Sequence, residues 1–312
     1  MGWLKFSVVI FAFIATSCVK ERCCSCESPS GKESSMLMVS FGCEFEAIKA
    51  TKSESHPLPH GIKTTIYAYS SGEDPLSRSP YPGTPVTAVS DRSGGLAITD
   101  QELLFLPYGE YDFYSVSANC STMRGVSFTE GLSTPLNNGD DYLWAGRKEV
   151  EIKSNTQLIL RFRHSQALIS ITISKGEQAD SIGIIRALLY PPQKGGRMRL
   201  STGEIGAAQS TEKQGVSLIR HSDPERVVLN YIILPLAEGI PLMVELETDI
   251  FYWGGKVINE SRVGTLPMPK GGYRAGYRYN YKASVADKEL IFNAATVNEW
   301  VYEAPLNIEI RE

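Results

Sequence analysis

Histidine is scarce in this 312-residue chain, with four copies to serve as imidazole base or metal ligand. His56 and His60 stand in HPLPH, where proline forbids the helical i, i+4 spacing by which two histidines clasp one metal, so a polar loop is the simpler reading. His164 ends an apolar, strand-like run, as a core or edge histidine with one hydrogen bond would, and His221 in RHSDPER reads as a turn. No Gly-x-Ser-x-Gly elbow, His-Glu-x-x-His, P-loop or dinucleotide fingerprint is present. Gly195-Gly196 and Gly271-Gly272 lack the following helix that phosphate binding needs. These absences leave no catalytic residue, metal site or cofactor to name, and an enzyme is not expected. Lysine and arginine total 31 against 35 acidic residues, a net charge of −4, and no basic block is found, which argues against a nucleic-acid partner.

Long hydrophobic runs are missing too. The apolar stretch Phe6 to Ile14 is about half of the ~20 residues needed to cross a bilayer as a helix. Preceded by Lys5 and followed by the small residues Ala15, Thr16 and Ser17, it reads as an export signal over residues 1–17. The Ala-Thr-Ser-Cys junction resembles a bacterial lipobox, which implies lipidation of Cys18. An ordinary signal peptide cleaved nearby is the alternative. Of six cysteines, Cys18, Cys23, Cys24 and Cys26 crowd the N-terminus, leaving Cys43 and Cys120 in the body, so no disulfide-stapled scaffold is expected. Cys23, Cys24 and Cys26 lack the second ligand pair of a four-coordinate zinc site and read as part of a flexible tether over 18–35, which includes the polar stretch ESPSGKESS.

What is abundant is period-2 alternation. In MLMVSFGCEFEAIK, Leu37, Val39, Phe41, Cys43 and Phe45 share one parity and Ser40, Glu44 and Glu46 the other, the pattern of a half-buried strand. GIKTTIYAYS, LLFLPYGEYDFYSVSA, TQLILRFRH, ALISITIS, VVLNYIILPL, PLMVELETDIFYW, YRYNYKASVAD and PLNIEIRE repeat the habit between turn-rich segments, and no segment sustains a helical period. The chain therefore reads as all-β sandwich architecture. Leu158, Leu160, Phe162 and His164 lie on the even face of one run, whereas Ala167, Ile169, Ile171 and Ile173 lie on the odd face of the next. That slip predicts a bulge, or a passage from one sheet to another, near Ser165 and Gln166, close to a boundary between domains at 36–160 and 161–312. Leu106-Pro107 with Gly109, and Leu234-Pro235 with Gly239, form a faint internal echo of tandem domains. Asp140 and Asp141 invite comparison with calcium ligands or a glycosidase pair, but neighbours on an extended chain point oppositely, and a turn before a strand is the simpler reading. Tyr81, Tyr252 and Trp253 are the aromatics expected to be exposed and able to stack on sugars, although Trp253 also suits a hairpin end.

The lipobox, the alternating first strand, LPYGEYDFY, DDYLWAG, LRFRHSQALISITI, Gly276-x-x-Tyr279 and the late VNEWVYEAPLNIEI occur in an order that resembles the fimbrillin family of type V pilus subunits. The resemblance is best from Asp140 to Ile310. It implies two tandem transthyretin-like Greek-key sandwiches, export as a lipoprotein to the cell outer membrane and surface, and assembly with other pilus subunits by strand exchange. Host or bacterial surface ligands are further partners it suggests. Protease removal of the first strand, represented by Leu37, Val39, Phe41 and Phe45, opens the groove in that family, often after an arginine. Between Arg22 and Arg78 this chain has no arginine, so Lys49 or Lys52 would be the processing site for a lysine- or trypsin-like protease. Retention of the strand, as in a tip or anchor subunit, is the alternative. The competing reading of the whole chain is a stand-alone cell-surface glycan-binding lipoprotein.

Overall fold

The computed structural model describes residues 35–46, 56–99, 103–120, 126–177, 179–191, 195–206, 226–285 and 290–300, and the backbone alone of 219–223. Its strands in chain order begin with β1 (Met36–Phe45), β2 (Lys63–Ser70), β3 (Val86–Ser90), β4 (Gly95–Ile98), β5 (Leu104–Pro107), β6 (Gly109–Ser117) and β7 (Phe128–Thr129). They continue with β8 (Leu132–Ser133), β9 (Leu143–Ile152), β10 (Thr156–His164), β11 (Ala167–Ser174), β12 (Ala179–Tyr190), β13 (Arg197–Met198) and β14 (Ile205–Gly206). The last are β15 (Ile219–Asp223), β16 (Arg226–Ile233), β17 (Leu242–Tyr252), β18 (Val257–Leu266), β19 (Tyr277–Val285), β20 (Leu290–Phe292) and β21 (Thr296–Glu299). Among the described residues there is no helix, so the all-β expectation holds.

Strands β1 to β6, β9 and β10 form one sheet in the order β10-β9-β6-β2-β3-β4-β1-β5, and β10 also pairs with β1. β10 meets β9 through Arg163 and His164 and meets β1 through its preceding residues, so the ladder runs around its core and returns to its start. That core holds Val39, Phe41, Ile66, Phe113, Leu143, Leu160 and Phe162. The later strands make a six-stranded sheet, β15-β16-β11-β19-β20 with β21 also on β19, and a three-stranded sheet, β12-β17-β18. Ile169, Ile171, Leu229, Tyr279 and Tyr281 of the first, with Ile184, Leu189, Val244 and Leu246 of the second, fill a separate core.

The parity slip lies where the chain changes sheets. β10 buries its even face, ends at His164, and hands over through Ser165 and Gln166 to β11 in the other sheet. Both linking residues are buried yet hydrogen-bonded: Ser165 N–H donates to Tyr142 O at 2.8 Å, and Gln166 Oε1 accepts from Tyr142 N–H at 2.8 Å. β2 and β6 are buried on both faces because a third cluster covers their backs, where Tyr67, Tyr69, Tyr114 and Val116 meet Met198, Leu200 and Leu234. Trp144 pins this region by donating from Nε1 to Leu200 O at 2.8 Å, while Arg163 stacks on its ring at 4.7 Å and donates to Thr202 O at 2.7 Å. At Gly203 (φ +71°) a Cβ would come within 2.5 Å of the indole.

Candidate functional site

The alternating first strand becomes β1, held on both edges. Val39 to Phe45 pair in parallel with Thr156 to Phe162 of β10; on the other edge Met36 to Val39 pair antiparallel with Leu104 to Pro107 of β5, and Phe41 and Gly42 with β4. Met38 N–H donates to Asn155 Oδ1 at 3.0 Å, Cys43 N–H to Gly94 O at 2.7 Å and Phe45 N–H to His56 O at 2.8 Å. Val39, Phe41, Cys43 and Phe45 are buried and Leu37 is half-buried, so the four candidate strand residues do lie on one inward face. Burial of Val39, Phe41 and Phe45 stabilises this seating by about 5–9 kcal/mol at ~1.5–3 kcal/mol per side chain. Phe41 meets Phe113 edge-on at 5.8 Å. The opposite face carries the Glu44–Arg161 ion pair at 2.6 Å, too exposed on the arginine side to contribute more than ~1 kcal/mol.

The end of β1 is closed by an aromatic stack. The His164 ring lies 3.7 Å from the Trp300 ring at an interplanar angle of 7°, and 5.5 Å from Phe45 at 19°. His164 is 5% exposed. Its Nδ1 donates to Asp141 Oδ1 at 2.7 Å, since a carboxylate can only accept, and Asp141 Oδ2 accepts from Asn119 Nδ2 at 2.7 Å. His164 is thus a core histidine with one hydrogen bond. Asp140 turns instead to the Tyr142 hydroxyl at 2.9 Å, so the two aspartates do not converge on one ligand.

Three expectations need correction. His221 lies not in a turn but in β15, paired with Val228 of β16. HPLPH is a loop, as expected, but not a wholly polar one: Leu58 is buried, Pro57 bridges Glu44, and the segment forms part of the housing of β1. Proline-flanked leucine in a short stretch carries no period from which such a role can be read. Tyr81 is not an exposed platform, because it packs edge-on against Tyr111 at 5.4 Å beside the first core. Tyr252 is half-buried, and Trp253, 72% exposed, sits in the turn between β17 and β18. Cys18, Cys23, Cys24, Cys26, Lys49 and Lys52 lie outside the described residues. Among those described, no three His, Cys, Asp or Glu side chains are placed to share a metal ion.

The later half repeats the pairing of β1 with β10: Leu168 to Ser174 of β11 run parallel to Arg278 to Ser284 of β19. The signal was present in ALISITIS and YRYNYKASV, but their partnership is non-local and leaves no mark on either segment.

A family profile described as fimbrillin-like matches residues 51–300. No curated protein matches. Among solved structures, a candidate cell adhesion protein from Bacteroides uniformis is similar at 14% identity and a TM-score of 0.60, over 85% of this chain and 97% of the other. Another, from Bacteroides ovatus, is similar at 12% identity and a TM-score of 0.57, over 86% and 99%. A third, from Bacteroides fragilis, is similar at 13% identity and a TM-score of 0.55, over 87% and 100%. At these identities the likeness is one of fold.

Proposed function

The chain belongs to the fimbrillin-like family, and from that premise we propose that it is a structural or adhesive component of a surface pilus, assembled by β-strand complementation. The observation that carries this reading is the seating of β1, a single N-terminal strand held between β10 and β4–β5 with Val39, Phe41 and Phe45 in the core. Without it, three strands, β10, β4 and β5, would lose a ladder partner and a row of apolar pockets would open. A strand from another subunit of matching alternation would satisfy both needs. Head-to-tail repetition of such a contact does not close on itself, so it grows a filament.

The proposal extends to the remainder of the chain. Residues 1–17 act as a lipoprotein signal, Cys18 carries lipid to the outer membrane, and Lys49 or Lys52 is the processing site that frees β1. The body divides into tandem transthyretin-like sandwiches that meet at Ser165 and Gln166, a few residues beyond the expected 160/161 boundary, because β10 stays whole in the first sheet. Support for that division comes from the separate cores and from the repeated parallel pairing of β1 with β10 and of β11 with β19.

Limited trypsin digestion of the purified protein, followed by mass spectrometry and electron microscopy, tests the assembly reading. Cleavage at Lys49 or Lys52, loss of β1 and growth of filaments are expected. Resistance to cleavage without polymer would refute a shaft role and leave a retained strand, as suits a tip or anchor subunit. Cys18→Ala should release the protein from the membrane fraction, and unchanged retention would refute lipidation.

A further inference from the structure

We propose that Arg197, Arg199 and Arg274 form a binding site for the carboxylate of an acidic sugar. This rests on the adhesive side of the reading above and names a ligand class for it. The three arginines line a pocket of about 600 Å³, a size suited to a small ligand, whose accessible apolar lining includes Ile205, Pro235 and Ala237. Glu204 is the one carboxylate in that lining, so positive charge prevails locally in a chain of net charge −4. Arg197 and Arg199 make no ion pair among the described residues. Glu204 Oε2 accepts from the Thr202 hydroxyl at 3.4 Å, and Glu238, the acid close to Gly271, is engaged by that residue's N–H at 2.9 Å.

The arginines are fixed at their roots. Arg197 and Arg199 flank Met198, and Met198 and Leu200 are fully buried beneath them. Arg199 N–H donates to Glu204 O at 2.9 Å, and Arg199 O accepts from Gly203 N–H at 2.8 Å. Arg274 N–H donates to the Tyr279 hydroxyl at 2.7 Å, and its guanidinium lies 4.3 Å from the Tyr277 ring centre, so its direction is preset. Leu236 and Tyr273 exchange both backbone hydrogen bonds in the pocket wall, and Arg197 and Met198 are laddered to Gly206 and Ile205. With that backbone paired, recognition falls to side chains, which disfavours an extended peptide added as a strand. A guanidinium offers five N–H donors, enough for a carboxylate and neighbouring hydroxyls, and the apolar lining suits the C–H face of a sugar ring.

Isothermal titration calorimetry on the purified full chain tests this, with trigalacturonate, its methyl ester, sialyllactose, lactose and sodium sulfate as probes. At least one acidic sugar should bind, its neutral counterpart (the ester, or lactose) should bind at least about tenfold more weakly, and Arg197→Ala with Arg199→Ala should cost about tenfold or more. Arg274→Gln should weaken binding in the same direction, and added salt should weaken it throughout. All three arginines are exposed, and unchanged thermal melting would certify the variants. Failure of both acidic sugars to bind, equal affinity for acid and neutral forms, unchanged affinity in the variants, or sulfate binding as tightly as sugar would each overturn the proposal. The measurement needs no polymer. A chain that assembles but ignores acidic sugars refutes this site alone, and one that binds them but never assembles refutes the shaft role alone.

Discussion

Burial makes several side chains that hold the core weaker acids, and each such group links stability to alkaline pH. The Cys43 thiol is pushed up to about 11 from 9.0, chiefly by burial, and Tyr67 and Tyr281 to about 12 from 10.0 for the same reason. An unfolded chain releases these protons near pH 9 to 10 while the folded chain keeps them, so each contribution is whole below that range and is lost as pH rises toward 11 or 12. Thermal melting should therefore be flat from neutral pH to about 9 and fall steeply above it. A melting temperature constant to pH 11 would contradict these environments. Cys43 also reports on β1: folded, it should resist thiol reagents at neutral pH, and release of the strand should make it react. Phe41→Ala, at 3% exposure and in edge-on contact with Phe113, should cost about 3–5 kcal/mol in a denaturant titration.

Among the elements, long strands with one unbroken apolar face were legible in the sequence, and those that are short, bulged or carry a buried charge were missed. β10 and β11 alternate cleanly because each meets a core across one fixed face, and even their change of parity could be read as a change of sheet. β18 could not be read so. Val257 and Val263 face outward, while the inward row includes Arg262, 2% exposed and bonded to the Thr248 hydroxyl and the Glu260 carboxylate. A buried cation inverts the pattern that hydropathy recognises. β9 is broken by one bulge and β12 by two, at Ala179–Ser181 and Ile184–Arg186, each of which shifts the parity. In β9 the irregularity is held by Asp112: Oδ1 accepts from Glu149 N–H at 2.8 Å, and Glu149 takes a φ of +55°. Asp112→Ala should destabilise the fold by about 1–3 kcal/mol, because it leaves a backbone donor unmet and an unusual conformation unsupported. Melting within ~0.5 kcal/mol of the parent would argue that the bulge stands without its aspartate. The housing of β1 was legible only in part: its own alternation was plain, but β4, HPLPH and the Trp300 stack come from segments far apart in sequence.

For the whole molecule, β1 is at once a core element and a strand joined to the body by one short segment of chain. A chain beginning at residue 56 should bind a hydrophobic dye strongly and melt well below the parent, and a peptide of sequence MLMVSFGCEF added in excess should reverse both changes. A peptide of the same composition with its alternation scrambled should do neither, and rescue by it would mean that any greasy segment suffices. The direction of the β1–β10 ladder adds a constraint of its own. Because that pairing is parallel while β5 and β4 run opposite to β1, a substitute strand can satisfy both edges only when threaded with its amino end toward Met36 and its carboxyl end toward Phe45. A filament made of such contacts would have a sense, like an arrow: its two ends would be chemically unlike, and elongation and capping would happen at different places.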